Sequence, residues 1–302
     1  MKKRIVIIGG GVVGLATAWV LIKSGHQVQL LERNAEPGSA TSFANGGQLS
    51  YRYVAPLADR GVPLQGIKWM GKADSPLNMR LQMSFQQWRW LLQFLRACNS
   101  HSNKINGDHI LRLSLLSRQV MQSWLNEDNL ADFHWRRSGK LIIHRREYDF
   151  HKAAKGINPQ YQHALSAEAC LQLEPALKHI SHSLQGGIYS PGDETADCHK
   201  FCLALLDKLN ASSNFSLLTH CEVLRLNKRD GRISSLETSR GTITGDDYVV
   251  AAGNGSGPLL GHLGVRVPLC ALKGYSLTLP YPKEAGIAPD ISVRSEERRV
   301  GK

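Results

Sequence analysis

Residues 5–22 read IVIIGGGVVGLATAWVLI, eighteen consecutive positions without a charge. By length and apolarity such a stretch could cross a membrane. With MKKR at residues 1–4 it could also serve as a secretory leader. Its glycines argue against a spanning helix: Gly9, Gly10, Gly11 and Gly14 fall within six positions, and glycine weakens helices. A leader would need a small-residue cleavage site, but Lys23, Ser24, Gly25 and His26 lead into another apolar run. The third reading accounts for every part. Residues 5–8 predict a β-branched strand of the buried parallel kind. Gly9, Gly11 and Gly14 spell G-x-G-x-x-G directly after it. Residues 15–23 predict a helix closed near Gly25, and residues 27–31 a second strand ending at Glu32.

That spacing has a physical reason. Gly9 permits the tight turn, Gly11 lets a pyrophosphate approach the backbone, and Gly14 lets the helix pack on the strand. The helix N-terminus offers unpaired N–H groups and a partial positive charge to the phosphates. Glu32, eighteen residues beyond Gly14, is placed to accept hydrogen bonds from an adenosine ribose. Its charge would repel a 2′-phosphate, which disfavours NADP. The segment therefore reads as a dinucleotide cradle.

Two further stretches choose between dinucleotides. GSATSFANGGQLS at residues 38–50 is too polar and glycine-rich for core, and its amides with Ser42, Asn45 and Gln48 could line an extended ligand. DDYVVAAGNGS at residues 246–256 is an apolar strand ending in Gly253, a turn of the kind with which flavoproteins contact their dinucleotide a second time. Together these favour FAD. The expected cofactor-binding residues are Ile8, Gly9, Gly10, Gly11, Val12, Val13, Gly14, Glu32, Arg33, Ser42, Asn45, Gly46, Gly47, Gln48, Val223, Ala252 and Gly253.

The rest of the 302 residues, 42% hydrophobic and 21% charged, is ordinary for a globular protein. Six cysteines, without paired spacing, suggest free thiols in a reducing compartment. Cys198 and Cys202 share a helical face, but no partner pair completes a metal site, and no metal is expected. The twelve histidines show no ligand set. The net charge of +12 is uneven: residues 1–150 carry 20 basic against 10 acidic side chains. Such a region suits a solvated face or contact with an anionic surface. No nucleic-acid recognition motif accompanies it, and no nucleic-acid partner is expected.

The pattern predicts helices through residues 84–126. There Phe85, Trp88, Leu91, Leu92 and Leu95 fall at helical spacing, as do Leu113, Leu116, Val120 and Trp124. Trp88, Trp90 and Phe94, flanked by Arg89 and Arg96, suit either core packing or an amphipathic helix lying on a bilayer. Ser166 should cap a helix that stops before Pro175, and Asp197 or Thr195 should cap another over residues 197–209. Asp230-Gly231 marks a hairpin. The expected fold is α/β (α+β): a discontinuous Rossmann-like FAD-binding domain (1–80 and 187–262) interrupted by a mainly helical plus sheet substrate domain (81–186 and 263–302).

Along most of its length the chain resembles the D-amino acid dehydrogenase small-subunit family, within the D-amino-acid-oxidase-like FAD oxidoreductases. The matching segments are GGGVVG at 9–14, ANGGQLS at 44–50, GVPLQGIKWM at 61–70, SPLNMRL at 75–81 and FQQWRWLLQFLRACN at 85–99. They continue with LEPAL at 173–177, DETADC at 193–198 and LKGYSLTLP at 272–280. This resemblance implies FAD-dependent oxidative deamination of D-amino acids, D-alanine among them, to 2-oxo acids and ammonia. Electrons would pass to a quinone or other acceptor, in a cytoplasmic protein with a peripheral position on the inner face of the membrane. The implied chemistry is hydride transfer from the α-carbon to the flavin, then hydrolysis of the imine. It needs orientation and a cation for the carboxylate, for which Tyr53, Lys273 and Tyr275 are the catalytic candidates. A glycine or sarcosine-type amine oxidase is the neighbouring alternative.

Two departures stand out. Tyr51 and Arg52 replace a Pro-Gly pair common in the family before Tyr53. At the other end the sequence turns to SVRSEERRVGK, which shows no sign of a closing strand or helix and reads as a truncation. A truncated, non-catalytic FAD-binding fragment is therefore a further reading.

Overall fold

Strands form where β-branched residues cluster, and the longest apolar one, β1 (Arg4–Ile8), organises the N-terminal part. The computed structural model describes residues 1–52, 54–69, 83–277 and 288–295. Along the chain, β1 is followed by α1 (Val12–Lys23), β2 (Gln27–Leu31), β3 (Gln48–Leu49), α2 (Val62–Trp69), α3 (Phe85–Ala97) and α4 (Ser100–Glu127). Next come β4 (Lys140–His144), α5 (Glu147–Lys155), β5 (His163–Ser166), α6 (Ala167–Leu173), β6 (Gly186–Ser190) and β7 (Glu194–Thr195). The remainder is α7 (Cys198–Asn210), β8 (Phe215–Leu218), β9 (Val223–Arg229), β10 (Arg232–Thr238), β11 (Gly241–Ile243), β12 (Asp247–Val250), α8 (Ser256–Gly261) and β13 (Ser292–Ser295).

The chain divides into two units, both discontinuous. The first comprises residues 1–47, 127–134 and 197–276. Its sheet runs β12-β1-β2-β8 with every pair parallel. Such a sheet needs both faces covered. Helices α1 and α7 pack together in this unit, with Leu15, Ala18, Leu205 and Leu209 almost fully buried. A second cluster joins Val6, Ile8 and Leu31 to Cys221, Val223, Leu226 and Leu236, drawn from β9, β10 and the turn before them. The β9–β10 hairpin closes at Asp230-Gly231 as expected, both residues at positive φ (50° and 80°). Helix α7 begins where Asp197 Oδ1 accepts the Lys200 amide at 3.0 Å.

The second unit comprises residues 48–126, 135–196 and 277–302. Its sheet runs β13-β4-β6-β5, with β13 parallel to β4 and the other pairs antiparallel. Leu141 and Ile143 meet Cys170, Leu177 and Leu184 in its core. Ser166 Oγ accepts the Ala169 amide at 3.2 Å, and α6 ends at Leu173, before Pro175. A two-stranded ladder pairs β3 with β7, Gln48 with Thr195 and Leu49 with Glu194.

Two expectations change. The two units divide at residues 47, 126, 134, 196 and 276, with β3 paired to β7 and β6 to β4 inside the second. Ser292–Ser295, the start of the apparently structureless tail, is a strand on β4; its backbone pairs even though its side chains carry no strand signal. The last seven residues lie outside the described part. The helices at 84–126 are present, but the periodic apolar face of α3 is not core: Phe85, Trp88, Leu92 and Leu95 are exposed and the helix has no buried residue. Trp90 and Phe94 instead stack on each other at 5.1 Å.

Candidate cofactor site

The site begins where β1 ends. Gly9 leaves the strand at φ +108°, and its missing Cβ would stand 2.5 Å from the Ala251 carbonyl oxygen. Chirality and space both require glycine there. Gly14, one turn into α1, would drive a Cβ into the Gly9 carbonyl oxygen. Helix and strand therefore touch backbone to backbone. Gly11 differs: it is the N-cap of α1, in extended conformation at φ −75°, and a Cβ there would meet only Ser42 Oγ, at 3.4 Å. The backbone at Gly11 is open to an approaching group.

Helix α1 thus starts at Val12, three residues earlier than its apolar run suggested, with no side-chain cap on Gly11 and no acid in the first turn. Ser42 Oγ accepts the Val12 amide at 3.0 Å. The remaining first-turn amides have no carbonyl partner by helix geometry, and the helix dipole adds a partial positive charge. Val13 is 64% exposed in that turn. Asn45 folds its own loop, accepting the Gly47 amide at 2.9 Å and donating to the Ser42 carbonyl at 3.3 Å. Gly46 has open space beside it.

Glu32 closes the far side. Its carboxylate, 8% exposed, accepts the Gly10 amide at 2.7 Å and the Asn34 amide at 2.8 Å. The acid expected to meet a ribose therefore also splints the glycine turn to the end of β2. Each oxygen keeps a further lone pair for a hydroxyl donor. Arg33 beside it is exposed. The Ala251 amide donates to the Ile8 carbonyl at 2.8 Å, which sets Ala252 and Gly253 (φ +54°) beside the β1 terminus. Val223 packs in the core at the start of β9.

These residues fit a dinucleotide. A glycine wall without side chains, a helix N-terminus for a diphosphate and a buried carboxylate for a ribose occupy one unit. Gln48 belongs to the second unit, where its amide donates to Ser292 Oγ at 2.6 Å. Tyr53 lies outside the described residues. Lys273 and Tyr275 are exposed neighbours, the ammonium 5.3 Å from the ring centroid.

The second unit holds a polar cluster that the sequence reading missed. Glu194, 2% exposed, accepts from the Tyr51 hydroxyl at 2.9 Å, Trp135 Nε1 at 2.8 Å and Gln122 Nε2 at 3.1 Å. Asp193 Oδ1 accepts the Tyr51 amide at 3.1 Å. Burial pushes the Asp193 carboxyl up, opposed by the Tyr51 amide and the Lys140 charge. Buried Lys140 donates to Ser50 Oγ at 3.0 Å. Segment 50–52 is thus pinned by two buried carboxylates. Its spacing carried no signal, because the donors come from positions 51, 122 and 135.

Fold and cradle together define a dinucleotide-binding α/β protein of the flavoprotein type. A family profile described as FAD dependent oxidoreductase matches residues 4–300. The chain is 45% identical over 301 residues to D-amino acid dehydrogenase 2 of Pseudomonas aeruginosa, covering 99% of this chain and 71% of that protein. D-amino acid dehydrogenase of Vibrio vulnificus (strain YJ016) is 35% identical over 98% of this chain and 72% of its own length. The chain belongs to the FAD dependent oxidoreductase family, and FAD is its cofactor. Solved structures show the same fold: glycine oxidase from Geobacillus kaustophilus (TM-score 0.58, 20% identity, 87% of this chain and 58% of that one) and L-proline dehydrogenase from P. horikoshii (TM-score 0.63, 16% identity, 98% and 65%). The chain thus spans about seven tenths of those curated relatives and under two thirds of those solved chains.

Proposed function

We propose that the protein catalyses FAD-dependent oxidative deamination of D-amino acids, D-alanine among them, to 2-oxo acids and ammonia, with a quinone-type acceptor for the electrons. The observation that carries this reading is 45% identity to a D-amino acid dehydrogenase across 99% of the chain, on a chain whose glycine cradle is intact. When bound, FAD supplies a two-electron acceptor for hydride from the substrate α-carbon. The chain's own residues hold and orient. The backbone of Gly9, Gly10 and Gly11 and the first turn of α1 receive the diphosphate, Glu32 receives the ribose, and Ser42 fixes the loop that flanks them. Tyr53, Lys273 and Tyr275 are assigned to orient the substrate, with Lys273 as the cation for its carboxylate.

The test is anaerobic addition of D-alanine to the FAD-loaded protein. Bleaching of the oxidised flavin band by D-alanine, but not by L-alanine or sarcosine, supports the reading. Bleaching by glycine or sarcosine alone favours the amine-oxidase alternative. Faster re-oxidation by a soluble quinone than by dioxygen supports the acceptor.

Peripheral membrane contact belongs to the same reading. Among the described residues no helix is long and apolar enough to cross a membrane. What supports contact is α3, where exposed Phe85, Trp88, Leu92 and Leu95 share a helix with Arg89 and Arg96.

A further inference from the structure

The side chain of Gln48 is exposed, yet it is held. Its backbone is set by β3, which pairs Gln48 with Thr195 and Leu49 with Glu194. Its Nε2 donates to Ser292 Oγ at 2.6 Å, between residues 244 positions apart. Ser292 opens β13, in register with Lys140 of β4. That lysine is 3% exposed and donates to Ser50 Oγ at 3.0 Å, two positions beyond Gln48. Two cross-strand partners of one sheet thus each bond a side chain of segment 48–50. The backbone just before Ser292 is anchored as well. One oxygen of Glu174, itself 3% exposed, accepts the Asp290 and Ile291 amides at 2.7 and 3.1 Å. Ordering a long exposed side chain costs conformational entropy, and here a buried carboxylate, a strand pair and a hydroxyl combine to order one.

We propose that Ser292 is a positioning residue for the flavin: by taking Nε2 it turns the Gln48 carboxamide so that Oε1, an acceptor, is the group Gln48 offers to FAD. The inference rests on the assignment of Gln48 to the cofactor, made from its place in segment 38–50.

A carboxamide has two prongs of opposite polarity, an NH₂ that donates and an oxygen that accepts. Free to rotate, it would present either. With Nε2 turned to Ser292 the other prong is Oε1, to which nothing donates among the described residues. The ring system of oxidised FAD carries acceptors at N1, N5 and both carbonyl oxygens, and one donor, the N3–H. Complementarity therefore pairs Oε1 with that N3–H. An acceptor there gives no help to the negative charge the ring gains on reduction. A carboxamide turned the other way would bring N–H donors to the ring and favour that charge. Ser292 thus governs how tightly flavin is held and also how readily it is reduced, as a supporting residue does when it locks the one that touches the ligand.

The experiment compares wild type with Ser292→Ala, Ser292→Thr, Gln48→Ala and the double variant Ser292→Ala with Gln48→Ala. Each apoprotein is titrated with FAD by flavin fluorescence, the absorption band of the bound flavin is recorded, and its reduction is read against a redox dye. Ser292→Ala should weaken FAD about five-fold, the usual contribution of one hydrogen bond. It should also shift the band and move the dye equilibrium toward reduced flavin. Ser292→Thr, which keeps the hydroxyl, should restore all three. Ser292→Cys, similar in shape but a weak acceptor, stands in for the alanine variant if that variant does not fold. Since Ser292 acts through Gln48, the double variant should bind FAD no worse than Gln48→Ala alone. A Ser292→Ala effect that persists in full without Gln48 overturns the positioning role. So does a Ser292→Ala protein indistinguishable from wild type while Gln48→Ala is impaired. Gln48→Ala with wild-type affinity and spectrum overturns the assignment of Gln48 instead. Wild-type protein that takes up no flavin overturns the cofactor reading and this inference together.

Discussion

The Tyr51 hydroxyl donates to the Glu194 carboxylate at 2.9 Å, inside a pocket where Trp135 and Gln122 point at the same two oxygens. Three neutral donors converge on one buried acid that has no cation within hydrogen-bonding reach among these contacts. Removing the acid strands all three. Glu194→Ala should cost roughly 3 kcal/mol of stability, because buried donors left unpaired bear their desolvation penalty. Tyr51→Phe, which removes one donor and keeps the ring, should cost about 1 kcal/mol. Urea denaturation followed by tryptophan fluorescence measures both; a Glu194→Ala midpoint equal to wild type would refute the account.

The glycine turn allows a sharper test. Gly14→Ala places a methyl into the Gly9 carbonyl, so α1 must move off β1. Overpacking of this kind costs about 1–3 kcal/mol, and the displaced helix end should weaken FAD about 100-fold. Gly46→Ala, facing open space, should leave the fold intact. The flavin-to-protein ratio after gel filtration separates them.

Glu32 carries two loads, the Gly10 amide and the Asn34 amide. Glu32→Gln keeps the shape but offers only one acceptor oxygen and leaves one of the two amides facing a donor, so affinity for FAD should fall about ten-fold and stability by about 1 kcal/mol. Glu32→Ala leaves both amides unpaired and should lower stability by about 2 kcal/mol. Titration of apoprotein with FAD, alongside circular dichroism, reads the two effects apart.

Helix α3 exposes Trp88 and Leu92, whereas Trp90 stacks on Phe94. Trp88→Ser with Leu92→Ser should abolish flotation with anionic phospholipid vesicles and leave the melting temperature unchanged. Trp90→Ser should instead lower the melting temperature. Flotation that survives the double substitution would remove α3 as the contact.

How much of this was legible depends on how far apart the partners lie. The βαβ start was readable because strand, turn, helix and acid lie within 30 residues; β2 occupies the predicted residues 27–31. Caps at Ser166 and Asp197 and the Asp230-Gly231 turn are equally local and appeared as expected. Glu194 was not readable, since its donors sit up to 143 positions away. The face of α3 was misjudged for a related reason: period gives the apolar side of a helix and says nothing about what lies against it. Lys273 and Tyr275 were singled out by residue type and resemblance; both are exposed, on a stretch that is neither helix nor strand.

The parallel pairing of β1 with β12 has a consequence for how the protein is made. The floor under Gly9 is the Ala251 carbonyl, so about 240 further residues must leave the ribosome before the glycine turn acquires this neighbour. Until then the β1 edge that takes β12 is unpaired. A deletion around residues 247–252 should therefore yield a protein that retains FAD poorly although its N-terminal motif is fully intact.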